Sequence, residues 1–146
     1  MNRNNKPAEL SYYGLYLLSY LKENHPDKVH DADFVEERAD RAADVFEQAR
    51  LEGYTPEGAH ELAMAALLEG LHFSKYDTLV EVLWNECSDE IPPSEAPAVA
   101  LKLLPYMEGV FARYPLLDDF AYSPEYEQLC TELTGAVLIC IEENGI

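Results

Sequence analysis

The chain has 146 residues, of which 28 are acidic and 10 are Lys or Arg, so its formal net charge is −18. A surface of this charge repels phosphate backbones and anionic lipid headgroups, and we therefore expect neither direct nucleic-acid binding nor membrane binding. Hydrophobic residues make up 48% of the chain, which is enough to form a core and argues against disorder. The length predicts one domain over residues 1–146, with residues 1–7 as a flexible lead.

The length of the apolar stretches and the spacing of the cysteines indicate the cellular compartment of the protein. No window approaches the ~18 unbroken apolar residues of a membrane span, and the apolar residues near the N-terminus lack a small-residue cleavage site. Cys87, Cys130 and Cys140 form no Cys-x-x-Cys pair, and the apolar pattern around Cys130 and Cys140 is typical of buried, reduced thiols. These features predict a cytoplasmic protein.

Helix-start signals divide the chain into six segments. Each segment begins at a proline or at a side chain that caps helices, namely Pro7, Asp33, Thr55, Ser74, Ser94 and Ser123. No alternating β-branched run indicates a strand. The sequence therefore predicts an all-α, single-domain bundle of about six helices, over residues 8–24, 33–52, 56–71, 75–88, 95–113 and 124–143.

The first and last helices have apolar side chains on several sides. In the first helix, Tyr12, Tyr16 and Tyr20 repeat at four-residue spacing and share one face. Tyrosine stripes occur both in protein interfaces, where the hydroxyl stays hydrated, and in ordinary cores. Both interpretations stay open for this face, and the last helix is likewise either central or covered by a partner.

The second helix has a narrow apolar stripe that begins at Val35. Its opposite side carries an acidic row of four side chains at helical spacing, Glu36, Asp40, Asp44 and Glu47. Such a row is usually a solvated face, here partly balanced by Arg38 and Arg41. The alternative is that it mimics nucleic acid and binds a basic DNA-binding or defence protein.

Proline and glycine mark the C-terminal third of the chain. Pro105 lies inside the fifth predicted helix and is expected to kink it near residues 101–104. Residues 115–122 form an apolar loop that must pack against the protein, and Gly145 marks the end of the last helix.

Catalytic motifs are incomplete. Glu57 with His60, and Glu69 with His72, each read Glu-x-x-His, the pair that di-iron bundles use on facing helices. Here both pairs lie on one predicted helix about 18 Å apart, too far to share an ion. A metal-dependent enzyme that uses these residues is therefore a remote alternative. We predict no catalytic residue, no metal ligand and no cofactor.

Three segments together carry a family resemblance. They are residues 9–21, residues 71–86, and residues 119–126 with 133–135 and 141–145. On these segments the chain resembles a family of small, all-helical bacterial proteins, a domain of unknown function often encoded near conjugative mobile elements. The resemblance implies an all-α single domain and assigns no reaction or catalytic residue.

The sequence thus predicts a non-enzymatic, acidic interaction or accessory module that binds a protein, possibly a basic one. The expected contact positions share aromatic character and are Tyr12, Tyr16, Tyr20, Phe120 and Tyr122. Oligomeric state stays open.

Overall fold

A computed structural model describes residues 11–145. The predicted flexible lead, residues 1–7, and the predicted helix start at residues 8–10 lie outside the described residues. The helices are α1 (Tyr12–Asn24), α2 (Ala32–Leu51), α3 (Pro56–Leu67), α4 (Lys75–Glu86), α5 (Ala96–Leu103), α6 (Glu108–Phe111) and α7 (Glu125–Asn144). No strand occurs between residues 11 and 145, and the all-α prediction is confirmed.

The described residues form two compact units. Unit 1 contains residues 11–23 and 27–69, and unit 2 contains residues 24–26 and 70–145. That residues 1–146 are a single domain stays a prediction.

The centre of unit 1 is a hairpin of α2 and α3. The buried side chains between the two helices are mostly small, which lets the helix backbones approach closely; they are Val35, Ala39, Ala42 and Ala49 in α2 and Ala59, Ala63 and Leu67 in α3. Gly53, which follows α2, has a φ of 101°, a left-handed conformation that glycine adopts without strain. This turn reverses the direction of the chain, so that α3 packs against α2.

Side-chain caps set the helix starts. Thr55 and Ser74 accept hydrogen bonds from the backbone N–H three residues later, at 3.0 and 2.9 Å, as predicted. The predicted cap at Asp33 is wrong. Asp31 is the cap, because its Oδ1 accepts from the N–H of Phe34 at 3.1 Å, and α2 begins at Ala32.

Unit 2 is built around the inner faces of α4, α5 and α7. Pro105 has no N–H to donate, so the fifth predicted helix is interrupted by a 3₁₀ turn at Leu104–Met107, as the sequence predicted. The predicted cap at Ser94 is not formed, since α5 is preceded by a 3₁₀ turn and its N-cap residue is Glu95. α7 buries Leu129, Leu133, Val137 and Cys140 on one side.

The sequence predicted the C-terminal end of α7 correctly but not the residue that caps its start. Gly145 ends the helix with a φ of 68° and donates its N–H to the carbonyl of Ile141 at 2.9 Å, as predicted. Ser123 was predicted to cap the start, and this is wrong. Its Oγ is buried and has no hydrogen-bond partner within the described chain, and the residue at the cap position is Pro124.

The apolar loop over residues 115–122 places Phe120 in the core of unit 2. The ring of Phe120 meets those of Phe73 and Tyr126 edge-on, with centroids 5.4 and 6.3 Å apart. The carboxylate of Asp118 accepts hydrogen bonds from the backbone N–H groups of Gly70 and His72, at 3.0 and 3.1 Å. The ring of Phe120 and the carboxylate of Asp118, together with Leu116, which packs against the core, therefore hold this loop in place.

Candidate functional site: an exposed aromatic face on α1

The outward side of α1 carries three large apolar side chains at helical spacing. Tyr12 is 60% exposed, Leu15 is 57% exposed and Tyr16 is 41% exposed. Positions i, i+3 and i+4 lie next to each other on a helix surface, so the three side chains form one patch. We call Tyr12, Leu15 and Tyr16 the α1 face.

The opposite side of α1 fixes the orientation of this face. Gly14, Leu17 and Leu21 are buried, at the spacing of one helix side. Ser11 begins the helix, because its Oγ accepts from the N–H of Gly14 at 3.1 Å and its carbonyl accepts from the N–H of Leu15. The α1 face points outward because the inner side is anchored.

Neighbouring rings hold the tyrosines of the α1 face. Tyr12 contacts Tyr13 edge-on and Tyr16 at a tilt, with centroids 5.3 and 6.3 Å apart. The His60 ring on α3 lies 6.0 Å from Tyr12 and 6.1 Å from Tyr13, and the Tyr13 hydroxyl is 3.5 Å from His60 Nδ1. Burial, and to a lesser degree the neighbouring Tyr12, raises the pKa of Tyr13. Rings restrained in this way lose little side-chain entropy when a partner covers them.

The other three predicted contact residues are placed differently. Tyr20 is half-buried, and Tyr122 in unit 2 is 90% exposed. Phe120 is only 2% exposed, so its predicted place on an interaction face is wrong. Its ring fills the core of unit 2, because the loop over residues 115–122 turns that side chain inward. Leu15, which is not among the predicted contact residues, is more exposed than Tyr16.

The acidic row runs along the outside of α2. Glu36, Asp44 and Glu47 are exposed, and Asp40 is half-buried. The row shares its helix with two basic side chains, Arg38 and Arg41, that contact the end of α3.

Arg38 and Arg41 join α2 to the C-terminal end of α3. Arg38 donates to the carbonyls of Leu67 and Glu69 at 3.0 and 2.8 Å, and Arg41 pairs with the Glu69 carboxylate. Guanidinium groups at a helix C-terminus satisfy its carbonyls and stabilise the negative end of the helix dipole. Both arginines therefore contribute to the packing of unit 1.

The two Glu-x-x-His pairs are not assembled into a site. α3 ends at Leu67, so Glu69 and His72 lie beyond the helix rather than on it. His60 contacts Tyr13, and Glu69 pairs with Arg41. Among residues 11–145, no group of three or more His, Cys, Asp or Glu side chains is placed to hold a metal ion.

Two thiols and one half-buried tyrosine of unit 2, Cys87, Cys130 and Tyr126, have raised pKa values. Burial, then the charges of Glu90 and Glu86, raises the pKa of Cys87, and burial also raises the pKa of Cys130. Burial and the neighbouring Cys130 raise the pKa of Tyr126 to about 12. Each group is therefore held in its protonated form at neutral pH.

Unit 2 has a shallow cleft of about 270 Å³ beside the C-terminal half of α7. Met107 and Cys140 form its buried floor, and Tyr106 and Ile139 form exposed walls. We call this feature the α7 cleft; its complete lining is Tyr106, Met107, Ala136, Ile139, Cys140, Glu143 and Asn144.

Helix length and composition bear on whether the chain could span a membrane. Over the part of the chain that the structure describes, every helix is too short or too polar to cross a bilayer.

Comparison with known proteins identifies the family. Residues 5–146 match a family model described as "Domain of unknown function (DUF1896)". The chain belongs to the DUF1896 family. The crystal structure of protein PG0816 from Porphyromonas gingivalis is similar to this DUF1896 chain, with a TM-score of 0.86 at 42% sequence identity. The match covers 96% of this chain and 95% of that one.

The resemblance found in the sequence is thus confirmed for the family and the fold. No curated protein matches the chain. The mobile-element setting stays a prediction.

Proposed function

We propose that this DUF1896 protein is a non-enzymatic interaction module that binds a partner protein through the α1 face. The observation that supports this is the exposure of Tyr12, Leu15 and Tyr16 on one side of a helix whose other side is anchored by buried residues. Aromatic side chains are enriched among the residues that dominate binding energy at protein interfaces.

The exposed area of the α1 face is large enough to contribute substantially to the free energy of binding. A tyrosine buries roughly 150–250 Å² when fully covered, so each half-exposed ring still offers on the order of 100 Å². At about 25 cal/mol per Å², covering one such ring contributes about 2.5 kcal/mol. The two tyrosine rings, together with Leu15, approach the magnitude of a hot-spot cluster, which must then outweigh the cost of association.

Charge favours a basic partner. The net charge of −18 repels other acidic proteins at long range and accelerates encounters with basic ones. A basic rim around an apolar anchor is therefore the expected surface on the partner.

Site-specific photo-crosslinking tests this proposal. A benzophenone amino acid is placed at Leu15 and, as a matched control, at Leu51, an exposed leucine at the end of α2 in the same unit. In cells of the source organism, we expect one adduct of defined mass from position 15 and no such adduct from position 51. Equal labelling at both positions, or no adduct at position 15, would contradict the proposal.

A second candidate function, nucleic-acid mimicry, is favoured by the acidic row on α2. Carboxylates four residues apart on a helix repeat about every 6 Å, and Glu36, Asp44 and Glu47 are exposed. Binding of this kind depends strongly on salt. Nucleic-acid mimicry predicts that replacing Asp44 with Asn and Glu47 with Gln abolishes partner binding. Substitutions in the α1 face should then leave partner binding intact.

A further inference from the structure

The α7 cleft in unit 2 is negatively charged at one end. α7 ends at Asn144, and its last turn, Ile141-Glu142-Glu143-Asn144, contains no basic residue. The C-terminal end of a helix carries partial negative charge and is normally stabilised by Lys, Arg or His. Here Glu142 and Glu143 add two carboxylates at this end, which is unfavourable in the free protein and favours a cation from another molecule.

Basic residues of unit 2 are few and mostly engaged elsewhere. Residues 70–146 contain 14 acidic and three basic side chains. Lys75 pairs with Glu108 at 3.2 Å, and Arg113 pairs with Glu132 at 2.9 Å. The one charged side chain that lines the cleft, Glu143, is acidic. The cleft therefore combines apolar walls with a negative end.

The exposed walls of the cleft indicate the kind of occupant that it suits. Pockets for small molecules typically measure roughly 300–1,000 Å³ and enclose most of the ligand. This cleft, at about 270 Å³, lies near the lower end of that range, but its walls Tyr106 and Ile139 are exposed, so a small molecule in it would remain open to solvent. It fits one apolar side chain of a protein segment better than it fits an enclosed ligand.

We propose that the α7 cleft binds an amphipathic segment of a basic partner protein. An apolar side chain of that segment enters between Tyr106 and Ile139, and an adjacent Lys or Arg contacts Glu143 and the terminal carbonyls of α7. A second copy of this chain is a poor occupant, because two molecules of charge −18 repel each other. The α7 cleft and the α1 face have no residue in common, so variants of one surface test it independently of the other.

A peptide titration followed by NMR tests the inference. The full-length ¹⁵N-labelled protein is titrated with a helical peptide that has leucines on one side and lysines on the other. A Leu/Glu peptide removes the cation, and a Ser/Lys peptide removes the apolar anchor. We expect shifts concentrated at residues 104–107 and 136–144, with either control peptide binding about tenfold or more weakly.

Protein variants separate the cleft from the general acidic surface. Ile139→Ser is expected to weaken binding of the Leu/Lys peptide about tenfold, and Glu143→Gln several-fold. Leu117→Ser changes an exposed leucine of unit 2 outside the cleft lining, and is expected to stay within about twofold of wild type. A triple serine variant of the α1 face should behave like Leu117→Ser.

Three results would overturn the inference. Shifts spread evenly along the carboxylates of both units would show non-specific attraction. Equal losses from Ile139→Ser and Leu117→Ser would show that the cleft has no special role. A concentration-dependent dimer in sedimentation analysis, abolished by Ile139→Ser, would show that a second copy is the occupant.

Discussion

Leu15 and Leu17 lie two residues apart on α1 and are placed on opposite sides of the helix. Leu17 is fully buried, whereas Leu15 is 57% exposed. The same substitution, leucine to alanine, therefore tests directly which side of α1 packs against the protein.

The expected losses of stability differ several-fold. Leu17→Ala removes three buried carbon atoms at about 0.8 kcal/mol each, and the cavity that remains raises the cost to about 2.7–5 kcal/mol. Leu15→Ala removes atoms that are mostly hydrated already. Alanine also has the highest helix propensity, so we expect a loss of at most about 1 kcal/mol.

Urea unfolding followed by circular dichroism at 222 nm measures both free energies. The single tryptophan, Trp84, lies in unit 2, so its fluorescence reports whether unit 2 unfolds together with unit 1. Equal losses from the two substitutions would refute the assignment of Leu15 to an outward face. A neutral Leu17→Ala would show that α1 is not anchored by its inner side.

The remaining predictions concern unit 2. Asp118→Ala should lower the free energy of unfolding by about 1–3 kcal/mol, because it leaves two backbone N–H groups without their carboxylate. The control is Asp119→Ala, which changes an exposed neighbour. Equal losses of stability from the two substitutions would contradict the role of Asp118. Ser74→Ala should lower the free energy of unfolding in urea by about 0.5–2 kcal/mol, whereas Ser123→Ala should leave it nearly unchanged, because of the two serines only Ser74 caps a helix. A larger loss from Ser123→Ala than from Ser74→Ala would refute this difference. Tyr126, with a pKa of about 12, should ionise two pH units above an ordinary tyrosine in an absorbance titration at 295 nm. The unfolded chain loses this proton near pH 10, whereas the folded chain retains it to about pH 12, so the free energy of unfolding should fall as the pH rises from 10 to 12. Tyr126→Phe should remove that part of the decline. An unchanged pH dependence in the variant would contradict the raised pKa.

Local chemistry made the helices predictable. Thr55 and Ser74 cap α3 and α4 because a hydroxyl at that position satisfies an N–H that the helix itself leaves open. Pro105 interrupts its helix for the equally local reason that it has no N–H. Ser123 shows the limit of such arguments. Tertiary packing of the loop before α7 places its Oγ in the interior, although the sequence around it resembles that of Thr55.

The candidate site was only partly predictable. Four-residue spacing correctly placed Tyr12 and Tyr16 on one side of a helix, but spacing alone does not say which side packs inward. α1 has apolar residues all round, and only the tertiary structure shows that Leu17 and Leu21 are buried and Leu15 is not. Phe120 lies in a loop, where no period relates a side chain to a face. Its burial follows from packing against residues distant in sequence.

The most direct test of the central claim is quantitative capture of partners from lysate of the source organism. Three versions of the protein are compared over a range of salt concentrations: wild type, the triple variant Tyr12→Ser, Leu15→Ser and Tyr16→Ser, and the control Leu51→Ser. An interaction through the α1 face predicts a stoichiometric partner that wild type and Leu51→Ser retain at high salt. The triple variant should lose that partner at least about tenfold. Equal retention by all three proteins, or release of the partner from all three at moderate salt, would contradict the claim and favour the acidic row on α2.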